Sequence, residues 1–236
     1  MLDNGLARSA ASPMSLWPLV RLVLGSILVQ IIAVVFCQGA RLSLFWTFVV
    51  VAISGDLWLV LRYELLSGRL GWPNVRSRFS PVESKRLLFA AAGALILIAL
   101  STALDWGLTW IGVKLPPIPV AGFMPTQPDQ LLVAVTVIGV VGPFAEELVF
   151  RGALLDWLRQ RYRARFAVVL SSLVFALVHG IAFRSGVSGW LQFGYRFLLG
   201  VATCILALRD KSLRSPFVLH AVNNVIACVA SVSDGI

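Results

Sequence analysis

The chain has 236 residues, of which 58% are hydrophobic and only 13% are charged. Soluble domains carry roughly 25% charged residues, so this composition excludes an ordinary soluble protein and indicates an integral membrane protein. The net charge of +9 does not indicate a nucleic-acid partner, because the arginines cluster in short segments between apolar runs. Cys37, Cys204 and Cys228 lie within apolar runs and are interpreted as buried hydrophobic residues, not as disulfide partners or metal ligands.

Seven membrane-spanning helices are predicted in chain order, and together they predict an all-α, polytopic bundle that encloses a polar cavity. The predicted spans are 15–37, 42–61, 87–111, 131–158, 166–182, 189–208 and 216–232. Dividing one of these segments would give eight spans, which is the alternative. With seven spans and a cytoplasmic N-terminus, the basic segments 62–86, 159–165 and 209–214 all fall on the cytoplasmic side. The sequence therefore predicts a multi-pass protein of the cell membrane.

Two adjacent carboxylates and an arginine lie in the otherwise apolar fourth span. They are Glu146, Glu147 and Arg151. Ionisable groups inside a membrane span are costly, and they indicate a functional site. Glu147 and Arg151 are four residues apart and share a helix face, whereas Glu146 points about 100° away. One acid can therefore be held by the arginine while the other faces a cavity.

The chain has only two histidines, and both lie in apolar runs after the acidic motif. His179 lies in the last turn of the fifth predicted span, and His220 lies four residues before Asn224 in the seventh. Imidazole, carboxylate and carboxamide are the groups needed to activate a water and to stabilise an oxyanion, with or without a metal. The pattern predicts one polar basin that gathers these residues with Glu146 and Glu147.

Three motifs in a fixed order resemble a known family of intramembrane proteases. They are Glu146-Glu147-x-x-x-Arg151, Phe175-x-x-x-His179 and His220-x-x-x-Asn224. In this order on successive membrane helices they resemble the CAAX-protease and bacteriocin-processing family (CPBP, or Abi), which includes the type II CAAX prenyl endopeptidases. The chain is interpreted as a single membrane domain, with N-terminal spans and loops in 1–130 and a catalytic core in 131–230.

The resemblance implies a role for each matched position. Glu146 would be the general base that activates water, and His179 would position that water or bind a metal. His220 and Asn224 would stabilise the tetrahedral oxyanion. A supporting ion pair would be formed by Glu147 and Arg151.

The metal requirement is left open by the sequence. Two histidines and one glutamate would satisfy a catalytic zinc site with an open position, so a divalent metal such as zinc is compatible with the motifs. The chain has no His-Glu-x-x-His segment, which is the motif of ordinary zinc proteases.

The resemblance therefore predicts an intramembrane endopeptidase that cleaves a peptide or protein substrate, either prenylated or otherwise anchored in the membrane. One alternative is a non-catalytic membrane partner, such as a bacteriocin self-immunity factor. A proton-coupled transporter is another, because buried acids and histidines also suit a proton relay. A rhomboid-like serine protease that pairs Ser188 with His220 is the least favoured, because it leaves Glu146 and His179 without a role.

Overall fold

The structure, a computed structural model, describes residues 15–70, 72–115, 125, 127–179 and 186–233. Every regular element in these segments is a helix, which confirms the predicted all-α bundle. The helices are α1 Trp17–Gly39, α2 Leu44–Leu70, α3 Val75–Arg78, α4 Ser84–Trp110, α5 Pro128–Arg159, α6 Ala164–Val178, α7 Gly186–Asp210 and α8 Arg214–Ser233.

Six of these helices are long and apolar enough to cross a membrane, namely α1, α2, α4, α5, α7 and α8. Large apolar side chains such as Phe36 and Trp110 are exposed on the outer faces, which suits contact with lipid. These features describe a multi-pass membrane protein. The predicted fifth span, 166–182, corresponds to α6, whose 15 residues extend about 22 Å and fall short of a full bilayer core. Residues 180–185 lie outside the described segments.

Several helices extend beyond their predicted spans, and two of these extensions concern the ends of α2 and α7. The second span was expected to end at residue 61, but α2 continues to Leu70. Tertiary contacts stabilise its last turns. Tyr63 is fully buried, and Glu64 accepts a hydrogen bond from the backbone N–H of Val75 at 2.8 Å. The sixth span was predicted to begin at residue 189, but α7 begins at Gly186. In both places the helix includes polar residues that the sequence pattern assigns to a loop.

The three basic segments meet at one end of the bundle, which we call the basic end and define as residues 72–83, 160–163 and 211–213. The backbone N–H of Leu213 donates to the carbonyl of Arg78 at 2.8 Å. An ion pair joins Arg78 to Asp156 at 2.6 Å, and another joins Arg86 to Asp210 at 2.9 Å. Burial opposes the charge of Arg78, but Asp156 and Tyr63 more than offset this effect and raise the pKa of its guanidinium. Connections that are distant in sequence therefore share one side, as the predicted topology requires.

Helix α5 lies at the centre of the bundle, and its backbone is irregular on both sides of the acidic motif. Two π-helical segments, Val135–Val141 and Leu148–Leu154, flank the α-helical turns Gly142–Glu147. Pro143 has no backbone N–H to donate inside a helix, and the N–H of Gly142 bonds to the carbonyl of Val137, five residues back. Such widened turns are frequent at functional sites. They set the directions in which the two carboxylates leave the helix.

The close approach of α5 to α8 depends on Gly139. A Cβ atom added there would lie 2.7 Å from Cγ2 of Val225. We therefore expect Gly139→Ala to lower the free energy of unfolding by about 1–3 kcal/mol, because the two helices must separate. The change Val225→Ala in the same chain should restore part of the loss. Gly107→Ala is the control, since nothing lies within 4 Å of that position. The free energy of unfolding of the wild type and the three variants is measured in mixed detergent. An unchanged free energy of unfolding in Gly139→Ala would contradict the packing argument.

Candidate active site

Glu146 on α5 lies between the two histidines, one directly after α6 and the other on α8. Its Oε2 atom is 3.5 Å from Nε2 of His179 and 3.7 Å from Nε2 of His220. The side chains of Glu146 and His179 are 26% and 21% exposed, whereas that of His220 is only 3% exposed. The side chain of Glu146 is therefore partly exposed, and its buried Oε2 atom is bordered by two imidazoles.

Both imidazoles use their Nδ1 atoms to bind fixed acceptors. His179 Nδ1 lies 2.7 Å from the carbonyl oxygen of Phe175, and His220 Nδ1 lies 2.9 Å from Oε1 of Glu147. Because a carbonyl or a carboxylate oxygen only accepts, each Nδ1 carries the hydrogen and donates it. In the neutral ring Nε2 is then an acceptor. Both histidines therefore leave their Nε2 atoms facing the carboxylate of Glu146.

Phe175 holds the two imidazoles by packing. Its fully buried ring lies 4.5 Å from the ring centre of His179 and 5.6 Å from that of His220. The guanidinium of Arg151 also lies over this ring, at 4.4 Å from its centre. The first residue of the Phe-x-x-x-His motif thus has a positioning role, because it contacts three polar side chains of the site.

Glu147 and Arg151 form a buried ion pair behind the histidines. Arg151 Nη1 lies 3.1 Å from Oε1 of Glu147, and neither side chain is exposed. The arginine also donates through Nη2 to Oγ1 of Thr203 on α7. Because the same Oε1 atom accepts from His220, the pair holds the orientation of that imidazole. The two adjacent acids therefore differ in surroundings as their spacing predicts: one is paired and buried, and the other is partly exposed.

Asn224 is placed differently from the other candidate residues. Its Nδ2 atom donates to the carbonyl of Ile138 at 3.0 Å, and its Oδ1 atom accepts from Asn223 at 3.1 Å. In the described segments no hydrogen bond joins it to Glu146 or to either histidine. The carbonyl of Ile138 lies in the first π-helical segment, so Asn224 binds the irregular part of α5.

Three polar residues near these groups were not predicted. Asn223, next to Asn224, accepts a hydrogen bond from the hydroxyl of Tyr195. Thr203 holds Arg151, as described above. Asp56 on α2 approaches the acidic motif, because its Oδ2 lies 3.7 Å from where a Cβ would stand on Gly142. A single acid in an apolar predicted span was the available signal for Asp56.

Two chemical alternatives can be tested against this geometry. No group of three or more His, Cys, Asp or Glu side chains in the described residues is arranged to hold a metal ion, and we derive no step through one. The Oγ atom of Ser188 is buried and has no hydrogen-bond partner in the described part of the chain. His220 instead contacts both glutamates, so the rhomboid-like pairing of Ser188 with His220 is not formed.

Comparison with known proteins is informative for the second half of the chain. Residues 128–226 match the family model of the Rce1-like type II CAAX prenyl endopeptidases. The match confirms the resemblance drawn from the three motifs. It covers less than half of the chain, from α5 into α8, and all six candidate residues lie within this Rce1-like segment.

A second comparison finds a relative whose function its description does not give. This relative is an uncharacterized 24.3 kDa protein of Escherichia coli, 30% identical over 95 residues, which amount to 39% of this chain. The chain spans 41% of the length of that relative. No solved structure matches the chain. The Rce1-like segment thus has support at the level of the family, and helices α1–α4 lie outside the family match.

Proposed function

We propose that this protein is an intramembrane endopeptidase that hydrolyses a peptide bond with a water activated by Glu146. The observation that carries the proposal is the position of the partly exposed Glu146 carboxylate, 3.5 and 3.7 Å from the Nε2 atoms of His179 and His220. The match of residues 128–226 to a family of endopeptidases supports the reaction class. We place the protein in the cell membrane, with its basic end and N-terminus in the cytoplasm, from the positive-inside rule.

Water is the natural partner of these three groups because all of them accept hydrogen bonds. The carboxylate of Glu146 and the Nε2 atoms of two neutral histidines bring three acceptors together without a donor among them. A water molecule about 2.8 Å from Glu146 and from one imidazole would donate to both. Its oxygen lone pair would then point away from the acceptors, towards an incoming carbonyl carbon.

The reaction needs only a proton transfer and a water. Glu146 takes one proton as the water oxygen bonds to the carbonyl carbon, which gives a tetrahedral oxyanion. The carbon–nitrogen bond then breaks, and the protonated Glu146 returns its proton to the leaving amine. No covalent intermediate with the enzyme forms.

Asn224 is our proposed donor to the oxyanion. Its amide has two N–H groups, and the bond to Ile138 uses one of them. Stabilisation by such a donor is typically the largest single contribution to catalysis of this kind. A proton relay would have no specific use for a carboxamide here, so loss of function in Asn224→Ala would favour hydrolysis over transport.

The substrate we propose is a peptide segment held at the membrane by a lipid group or by its own apolar residues. A prenylated protein is one such substrate, and the matched family is named for prenyl endopeptidases. The bilayer is the second partner, because the exposed apolar faces of the six long helices need an apolar environment.

The experiment that tests the function compares peptide termini in membranes from cells that produce the wild type or Glu146→Ala at equal abundance. We expect termini that are present only with the wild type, and these would also name a substrate. Asp129→Ala is the matched control, because Asp129 is an exposed carboxylate at the start of the same helix. That control should give the wild-type pattern, and His179→Ala should lose it.

A different result would favour a non-catalytic partner. In that case the wild type and Glu146→Ala would give the same termini, and Glu146→Ala would still rescue the phenotype of cells that lack the protein. Because proteolysis requires the carboxylate and a structural partnership does not, the two readouts separate these functions.

A further inference from the structure

A cavity of about 160 Å³ lies near the basic end and is lined by charged residues from three helices and their connections. Its charged lining residues are Arg78, Arg151, Asp156, Arg159 and Lys211. Glu146, the two histidines and Asn224 are not among the lining residues, so the cavity is separate from the candidate active site except for Arg151. Its volume is about ten times the roughly 10–15 Å³ that one water needs.

The lining has an excess of positive charge. Four cationic side chains line the cavity with one carboxylate, Asp156, which is already paired with Arg78 at 2.6 Å. Arg151 is paired with Glu147 outside the lining. Arg159 and Lys211 form no ion pair or side-chain hydrogen bond with any other described residue. Two cations therefore remain available to a ligand.

Arg151 contributes a second and independent feature. Its Nε atom is buried and has no hydrogen-bond partner in the described part of the chain. A buried donor without an acceptor costs roughly 1–3 kcal/mol, and more for a charged group. Such groups call for an explanation, and a bound ion is one. Arg151 is also one of the residues that line the cavity.

We propose that this cavity binds an anion of the phosphate class, supplied by the headgroup of an anionic lipid or by free phosphate. Guanidinium groups recognise phosphate oxygens through short charge-assisted hydrogen bonds, and an ammonium adds a compact charge. Arg159 and Lys211 supply the net attraction, and Arg151 adds a third cation to the lining, with a donor atom that no described residue uses. The cavity opens among the ends of α5 and α7, where lipid headgroups meet a membrane protein.

Binding is tested with the full chain purified in a neutral detergent. The thermal midpoint of unfolding is followed against increasing inorganic phosphate, with chloride at matched ionic strength, and separately against short-chain phosphatidylglycerol. We expect at least one of the two phosphate compounds to raise the midpoint in a saturable way. In Arg159→Gln/Lys211→Gln the apparent affinity should fall roughly tenfold to thirtyfold, since each cation near an anionic surface contributes about 1 kcal/mol.

Two further variants keep the test decisive. Arg76→Gln/Arg165→Gln removes the same charge from exposed residues that do not line the cavity, and it should bind as the wild type does. Arg159→Lys/Lys211→Arg keeps the charge and should retain most of the affinity. A response to phosphatidylglycerol alone identifies a lipid headgroup, and a response to inorganic phosphate identifies a free anion.

The proposal is overturned by either of two outcomes. One is a wild type that responds to neither compound beyond the chloride control. The other is an equal loss of affinity in the cavity and surface variants, which would mean binding to diffuse charge. Because binding is the readout, the result does not depend on peptidase activity.

Discussion

Glu146→Gln is expected to reduce kcat/KM for a peptide substrate by about a hundredfold to ten-thousandfold, the range that a positioned general base contributes. The amide has nearly the shape of the carboxylate, but it cannot accept a proton from water and later return it. The fall should lie mainly in kcat, because in the proposed mechanism the carboxylate acts on the water more than on the bound peptide. Rates of cleavage of a substrate identified by its terminus, followed over a range of substrate concentrations with purified protein, measure kcat and KM separately.

Fold and chemistry can be separated in this experiment. Glu146 has no hydrogen-bond partner on its buried Oε2 atom, so the neutral amide should leave the thermal midpoint of unfolding nearly unchanged. Asp129→Asn removes a carboxylate from the same helix and should cleave at the wild-type rate. An unchanged kcat in Glu146→Gln would remove the general base from the proposed mechanism.

His179 provides a further check, because its Nε2 atom would share the activated water with Glu146. Residues that act together in one step give non-additive losses. We therefore expect Glu146→Gln/His179→Ala to be scarcely slower than Glu146→Gln alone. Losses that multiply would mean that the two side chains serve different steps.

Several parts of this arrangement could be predicted because they depend on local geometry. The spacing of Glu147 and Arg151 brings them together on any helix, and the adjacent Glu146 must then point elsewhere. The apolar runs predicted the helices, since a span needs a length that only a long run provides. The positions of the three basic segments predicted that they would share one side.

Other parts depend on tertiary contacts that no local pattern encodes. The bond from Asn224 to Ile138 needs α8 to lie against a widened turn of α5, and a regular helix was assumed there. The length of α2 depends on the burial of Tyr63 by residues that follow the helix. The position of Asp56 could not be predicted, because it approaches Gly142, a residue 86 positions later in the chain on another helix. The division of the chain at residue 131 stays a prediction, and the site roles stay proposals.

Arg151→Met is expected to lower the free energy of unfolding by about 3–5 kcal/mol, the loss typical of removing one partner from a buried ion pair. Glu147 would keep its charge in a fully buried position, with the donor from His220 as its remaining described partner. Thr203 would also lose the guanidinium that donates to it. Unfolding by mixed detergent measures the loss, and Arg165→Met, which changes an exposed arginine, should alter stability by no more than about 0.5 kcal/mol.

The double variant Glu147→Gln/Arg151→Met separates the charge from the packing. It leaves no unpaired buried charge, so it should be clearly more stable than Arg151→Met alone even though it carries one more substitution. The Oε1 atom of the new glutamine can still accept from Nδ1 of His220, so the imidazole should keep its orientation and the double variant should recover cleavage as well as stability. Recovery of stability without cleavage would instead mean that the charge of the pair acts on the chemistry, beyond holding His220 in place. A double variant less stable than Arg151→Met would contradict the account of Arg151 as the partner that makes a buried Glu147 tolerable.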